Sequence, residues 1–143
     1  MKRTRLKRKS QSATALIKDE IQALLRLIVI KRDGGCILRH YPETGQCGGY
    51  RQDGELILQA EHLHTRSNSV SFADSRLVVC LCMRHHIFYK PQHADEYYRI
   101  VKKHIGKART KLLEAVQQDY RAYKMDWQLE KLALGKELKK LST

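Results

Sequence analysis

No apolar run in this chain reaches the roughly 18 residues that a membrane span requires, and the stretch 24–30 is far too short. Nor is the basic start MKRTRLKRKS followed by the apolar core and small-residue cleavage site of a secretory signal. Both absences set membrane-spanning and exported proteins aside and make a cytoplasmic protein the expectation. Acidic residues are also scarce, 15 Asp and Glu against 28 Lys and Arg, for a formal charge of +13 over 143 residues. Such an excess holds a protein to polyanions at moderate salt, so nucleic acid is the first partner to consider. No internal repeat divides the chain, and its length suits one core with appendages.

The basic charge is concentrated at the start. Six of the eight residues 2–9 are basic (Lys2, Arg3, Arg5, Lys7, Arg8 and Lys9) and none is acidic, which makes residues 1–12 a DNA-contacting arm without a packed core of its own. Over 13–31, Leu16, Ile17, Ile21, Leu24, Leu25 and Ile28 recur at three- and four-residue steps, which predicts an amphipathic helix ended by Asp33-Gly34-Gly35. Residues 36–54 are glycine-rich and aperiodic. A loop this long in a small domain needs something other than core packing to hold it, and a metal is the usual answer.

Two extended runs follow, 55–63 (ELILQAEHL) and 76–81 (RLVVCL), joined by a polar loop over 64–75. Residues 82–89 have helical character and are expected to stop at Pro91. A further helix over 94–105 should be closed by Gly106, and 108–141, free of proline and turn clusters, reads as one long helix. Its stripe of Leu113, Val116, Tyr120, Tyr123, Trp127, Leu134, Leu138 and Leu141 either pairs with a second copy of itself, making a homodimer, or folds back on the first helix.

Four cysteines and seven histidines in a reducing compartment point to metal before disulfides. Structural zinc takes four Cys or His ligands from separate short segments. Cys82-x-x-His85 is one such pair. Cys36 and Cys47 are the candidate second pair, with His40 able to replace either cysteine, while Cys80 sits in an apolar run and reads as a buried small hydrophobe. A second constellation joins Glu61-His62, ending the first extended run, to His86. A carboxylate and an imidazole can hold one hard divalent ion, Mg²⁺ or Mn²⁺, while a neighbouring histidine takes the proton of an attacking water. That is phosphodiester hydrolysis chemistry.

The order Lys31-Arg32-Asp33-Gly34-Gly35-Cys36, then Ala60-Glu61-His62, then Cys82-Met83-Arg84-His85-His86 resembles the HNH, or ββα-metal, endonuclease pattern over residues 31–90. The resemblance implies an α+β fold with a small ββα-metal core and a zinc-stapled loop, an N-terminal helix before it within 13–106, and a helical extension over 107–143. It implies His62 as general base, Glu61 and His86 as ligands of the catalytic cation, and Arg66 on the loop as a further DNA contact. The flanking order of Tyr97-Tyr98, Ile105-Gly106 and a long charged helix is similar to the phage lambda NinG/Rap recombination family. That similarity implies branched DNA substrates in a bacterial host cell. A non-catalytic zinc-stapled DNA-binding module, and an HNH nuclease for restriction, homing or packaging, are the competing expectations. The family's central Asn falls at Leu77, so Asp74, Ser75 or Arg76 is expected to brace the loop that presents His62.

Overall fold

A computed structural model describes residues 12–143, so the arm residues Lys2, Arg3, Arg5, Lys7, Arg8 and Lys9 lie outside the described residues. The fold mixes helix and strand, as expected of an α+β chain. Helix α1 (Ala13–Asp33) starts where the Ser12 side chain accepts the Ala15 N–H at 3.2 Å and ends where the Gly34 N–H returns to the Ile30 carbonyl at 3.0 Å. Ile17, Ile21, Leu25 and Ile28, at the spacing of one helical face, are all buried.

Strands β1 (Leu58–His62) and β2 (Val78–Cys82) form an antiparallel pair, from Leu58 opposite Cys82 to His62 opposite Val78. Only the last part of the first extended run is ladder. Ahead of it, Leu56 bridges Tyr50 and the Ile57 N–H reaches Gly49 at 2.9 Å, so the run's beginning pairs with the glycine-rich loop. Between the strands, α2 (Ser69–Phe72) is capped by Asn68, and a 3₁₀ turn, Ser75–Leu77, takes up the start of the second run. Along β2 alternate residues enter opposite cores: Val79 and Leu81 join Leu63, Tyr97 and Leu113, whereas Val78 and Cys80 join the α1 face. A strand covered on both sides must be apolar throughout, which is why RLVVCL shows no alternation.

The helix after β2 does not stop before Pro91. His85–Tyr89 is a π turn, with the Lys90 N–H bonded to the His85 carbonyl, and it runs into α3 (Lys90–Gln92) with Pro91 inside it. The wider turn leaves room for the pyrrolidine ring that an α-helical turn would exclude. Helix α4 (Ala94–Gln118) is broken at Gly106 (φ 84, ψ 176), where a helix end was expected.

The single long helix over 108–141 is not found. Helix α4 ends at Gln118, residues 119–126 are non-helical, and α5 (Trp127–Leu141) restarts under an Asp126 cap. The break is local chemistry. The Asp119 carboxylate takes the Arg121 N–H at 3.0 Å, the Arg121 guanidinium and the Tyr123 hydroxyl at 2.6 Å, offering the backbone an alternative to helix. Tyr120 and Tyr123 accordingly stay exposed, while Trp127, Leu134 and Leu138 pack with Ile17, Ile21 and Leu25. The α5 part of the stripe is thus spent on α1 within one chain, Leu113 and Val116 join the other core, and Lys131 pairs with Glu20 across the α1–α5 contact. No helix among the described residues is long and apolar enough to cross a membrane.

Candidate metal centre and active site

Four ligand atoms from three chain segments converge on one buried point. The Sγ atoms of Cys36, Cys47 and Cys82 and the Nδ1 of His85 all lie within 4.8 Å of one another, with Nδ1 at 3.5, 3.7 and 3.0 Å from the three sulfurs in that order. Cys36 begins the first loop turn, Cys82 ends β2, and His85 opens the π turn. On the other side of the imidazole, His85 Nε2 meets only oxygen: the carbonyls of Thr44 and Gly45 at 3.2 and 3.1 Å and the Thr44 hydroxyl at 3.0 Å. Carbonyls only accept, so Nε2 carries the proton and the Nδ1 lone pair faces the sulfurs. The three sulfurs do not titrate alike. Hydrogen bonding from the Cys36 thiol, with further donation from the His85 and Gly48 N–H groups, lowers the Cys82 thiol to about 4 and makes it the thiolate of the set. Cys36, giving its hydrogen to Cys82 and buried beside it, is raised.

A Cys₃His tetrahedron of this size suits a metal ion such as zinc. Cys47, not His40, completes it; His40 is exposed on the preceding turn. The loop can approach because it has no side chains at the contact. A Cβ on Gly49, at φ +88, would stand 2.7 Å from the Met83 Cβ, and one on Gly48 would stand 3.1 Å from the Arg84 Cδ. Cys80 stays apart from the cluster, buried against α1, where burial pushes its thiol up to about 12.

The second constellation also converges. Glu61 and His62 end β1, and His86 follows His85 on the π turn. The Glu61 carboxylate, nearly buried, contacts His86 Nδ1 through Oε2 and the Lys90 ammonium through Oε1. His62 is 6% exposed. Its Nε2 lies 2.9 Å from the Phe72 carbonyl, an acceptor, so Nε2 holds the proton, and the buried Nδ1 keeps an unpartnered lone pair. The Phe72 ring stacks on the imidazole at 5.2 Å and 14°. Burial, with Arg66 and Lys90 nearby, lowers the His62 pKa and favours the neutral ring, although the Phe72 bond and Glu61 pull the other way.

Glu61, His62, His86 and Arg66 line one cleft of about 590 Å³, together with Gln22, Arg26, His64, Lys90 and Tyr98. Unsatisfied buried atoms gather around it: Gln22 Oε1 and His62 Nδ1 have no hydrogen-bond partner. Sequence reasoning missed Lys90, which stands one turn after His86 and on the same face, and Arg26, which donates to the Leu58 carbonyl at 2.9 Å from the face of α1 turned to the strands. The i, i+4 spacing of His86 and Lys90 was the available signal for the first; nothing local marks the second.

The loop that follows His62 is braced by several residues. Leu77 is simply buried. Asn68 accepts the Ser71 N–H at 2.9 Å, the Leu63 N–H meets the Leu77 carbonyl at 2.9 Å, and Asp74 accepts the Arg76 N–H at 3.1 Å. Of the three residues expected there, Ser75 holds a partner from afar: its hydroxyl donates to Glu137 of α5 at 2.8 Å. No protein-family model, curated protein or solved structure matches the chain.

Proposed function

We propose that the protein is a metal-dependent DNA endonuclease of the HNH type, with zinc at Cys36, Cys47, Cys82 and His85 as a staple and hydrolysis at the Glu61-His62-His86 cleft. The observation that carries this reading is the state of His62: neutral-favouring, its Nε2–H fixed on a main-chain carbonyl, its Nδ1 unpartnered, in a cleft it shares with a carboxylate-imidazole pair. Strand, loop, strand and helix deliver these residues in the order the resemblance implies. Branched recombination intermediates are the proposed substrates, resting on the NinG/Rap similarity alone.

His62 takes the proton of the attacking water at Nδ1 while Nε2–H stays on Phe72, so the ring does not turn over as it becomes imidazolium. Glu61 and His86 would hold Mg²⁺ or Mn²⁺; when bound, such an ion stabilises charge on the phosphate and leaving oxygen. Arg26 and Arg66 stand where a phosphodiester backbone could be held, as charged side chains lining the cleft.

His62→Ala should lower single-turnover nicking of supercoiled DNA by about 10²–10⁴-fold while circular dichroism and DNA affinity stay near wild type. Wild-type turnover by this variant with saturating Mn²⁺ would sink the assignment. One observation favours a different reading, a zinc-stapled DNA-binding module without catalysis: Glu61 already has two partners in His86 and Lys90, as a purely structural ion cluster would. That module binds DNA without regard to divalent cations, and a cleavage panel of linear, nicked, flap and four-way-junction DNA with and without Mn²⁺ separates the two.

A further inference from the structure

Helix α5 lies outside the stretch that resembles a nuclease, yet it touches the segment that positions His62 at both ends. At one end, the Phe72 ring has two aromatic neighbours. His62 stacks on one face, and the Trp127 indole meets Phe72 edge-on at 5.8 Å and 88°. Lys18 of α1 closes the corner, its ammonium 4.8 Å from the Phe72 centroid and 5.0 Å from that of Trp127. At the other end, both carboxylate oxygens of Glu137 receive the Ser75 hydroxyl, at 2.8 and 2.9 Å, and the Ser75 carbonyl is taken by Arg32 at 2.7 Å. Leu134, between Trp127 and Glu137 along the helix, is buried with Phe72, Ala73 and Val78.

These contacts have a chemical consequence because the Phe72 carbonyl alone fixes which nitrogen of His62 is protonated. Whatever sets the pose of Phe72 therefore sets the tautomer and the direction of the free lone pair. Two side chains on α5, ten residues apart, grip the segment on either side of that carbonyl. Packing against α1 would need neither the edge-on indole over Phe72 nor a carboxylate on Ser75.

We propose that α5 is a working part of the His62 site, with Trp127 as a positioning residue that acts through Phe72 and Glu137 as its anchor at Ser75. The inference rests on the reading of His62 as a base, and it gives the C-terminal helix a role inside one chain.

The test is the protonation pattern of His62 in the full-length, zinc-loaded protein without Mg²⁺ or Mn²⁺, read by ¹⁵N-detected imidazole NMR at a pH where the ring is neutral. Trp127→Leu keeps apolar bulk against α1 but removes the aromatic edge; Trp127→Phe keeps an edge. Wild type and Trp127→Phe should show one tautomer with a protected Nε2–H, whereas Trp127→Leu and Glu137→Gln should show mixed tautomers and fast exchange, with thermal melting confirming that each variant is folded. In nicking assays Trp127→Leu should lose about 10- to 10²-fold in kcat at unchanged KM, and Trp127→Phe should recover most of it. A wild-type imidazole spectrum in folded Trp127→Leu and Glu137→Gln would overturn the proposal. The spectrum decides positioning whether or not the wild type cuts DNA, so a failure of the hydrolytic reading stays separate from a failure of this one.

Discussion

Lys90 would compete with any cation for Glu61. Its ammonium sits on one carboxylate oxygen and 5.7 Å from the Tyr97 ring, while His86 sits on the other oxygen. A divalent cation entering between Glu61 and His86 has to share that carboxylate with an ammonium, and the charge repulsion works against it. We expect Lys90→Met to bind Mn²⁺ more tightly than wild type, measured by calorimetry or Mn²⁺ EPR. Equal or weaker binding would place Lys90 outside the cation's field. His62 carries a second expectation, on pH. Burial is the largest influence on its ring and disfavours imidazolium, so its folded pKa lies below the usual value of about 6.5. The neutral ring therefore persists below pH 6.5, and under the proposed role of His62 as base activity should fall only as pH drops through the lowered value. An acid limb of the single-turnover rate centred above about 6.5 would contradict this. That Glu61, His62 and His86 share one cleft was legible in sequence, from an acidic-His pair ending the first extended run and a histidine directly after the Cys-x-x-His pair. Phe72 was not, since it acts on His62 through its main-chain carbonyl and ring face, which residue identity does not encode.

At the scale of elements, strong helical periodicity was readable, whereas the helix running through Pro91 and the break shaped by local side-chain bonds were not. Helix α1 came within two residues of the expected 13–31, and Gly106 broke α4 where a helix end was expected. The break over 119–126 has neither proline nor glycine. It comes from Asp119, which bonds Arg121 and Tyr123 instead of leaving the backbone to continue as helix. The apolar frame of Leu113, Val116 and Trp127 therefore spans two helices that serve two different cores. The loop at 36–54 behaves the other way. It has short 3₁₀ turns, only its start is anchored in the core, by Ile37 and Leu38, and its sulfurs bring Cys36 and Cys47 to β2 and the π turn. One tightly held zinc per chain is the expected result of metal analysis on protein purified without chelator. Cys47→Ser should lose it, and His40→Ala should retain it. Chelation should unfold this loop first, seen as faster amide exchange over 36–54 while α1 stays protected. Protein that contains no metal and keeps this loop protected would refute the staple.

At the scale of the molecule, self-pairing through a long overhanging helix loses its premise, because α5 buries Trp127, Leu134 and Leu138 on α1 of the same chain. The formal +13 is uneven: six of the 28 basic residues fall within positions 2–9, which hold no acidic residue. Arg26, Arg66 and Lys90 stand in the cleft, so under the proposed DNA-binding reading there are two separate sets of basic side chains to meet phosphate, one at the cleft and one at the N-terminal end of the sequence. Counterion release makes them countable. Each neutralised phosphate contributes close to 0.9 to the slope of log K against log salt on duplex DNA, independent of base sequence. Deleting residues 1–9 should therefore reduce the slope by up to about 5 units if all six side chains reach phosphate. Arg66→Ala should reduce it by about 1 and Arg26→Ala by about the same. Fluorescence anisotropy on a labelled duplex over a range of KCl concentrations, without divalent cation, gives all four slopes. The deletion should leave the single-turnover rate at saturating protein near wild type, since no residue of the cleft is removed, and weaken only the affinity. An unchanged slope after deletion would show that residues 1–9 make no phosphate contact and that binding resides in the rest of the chain.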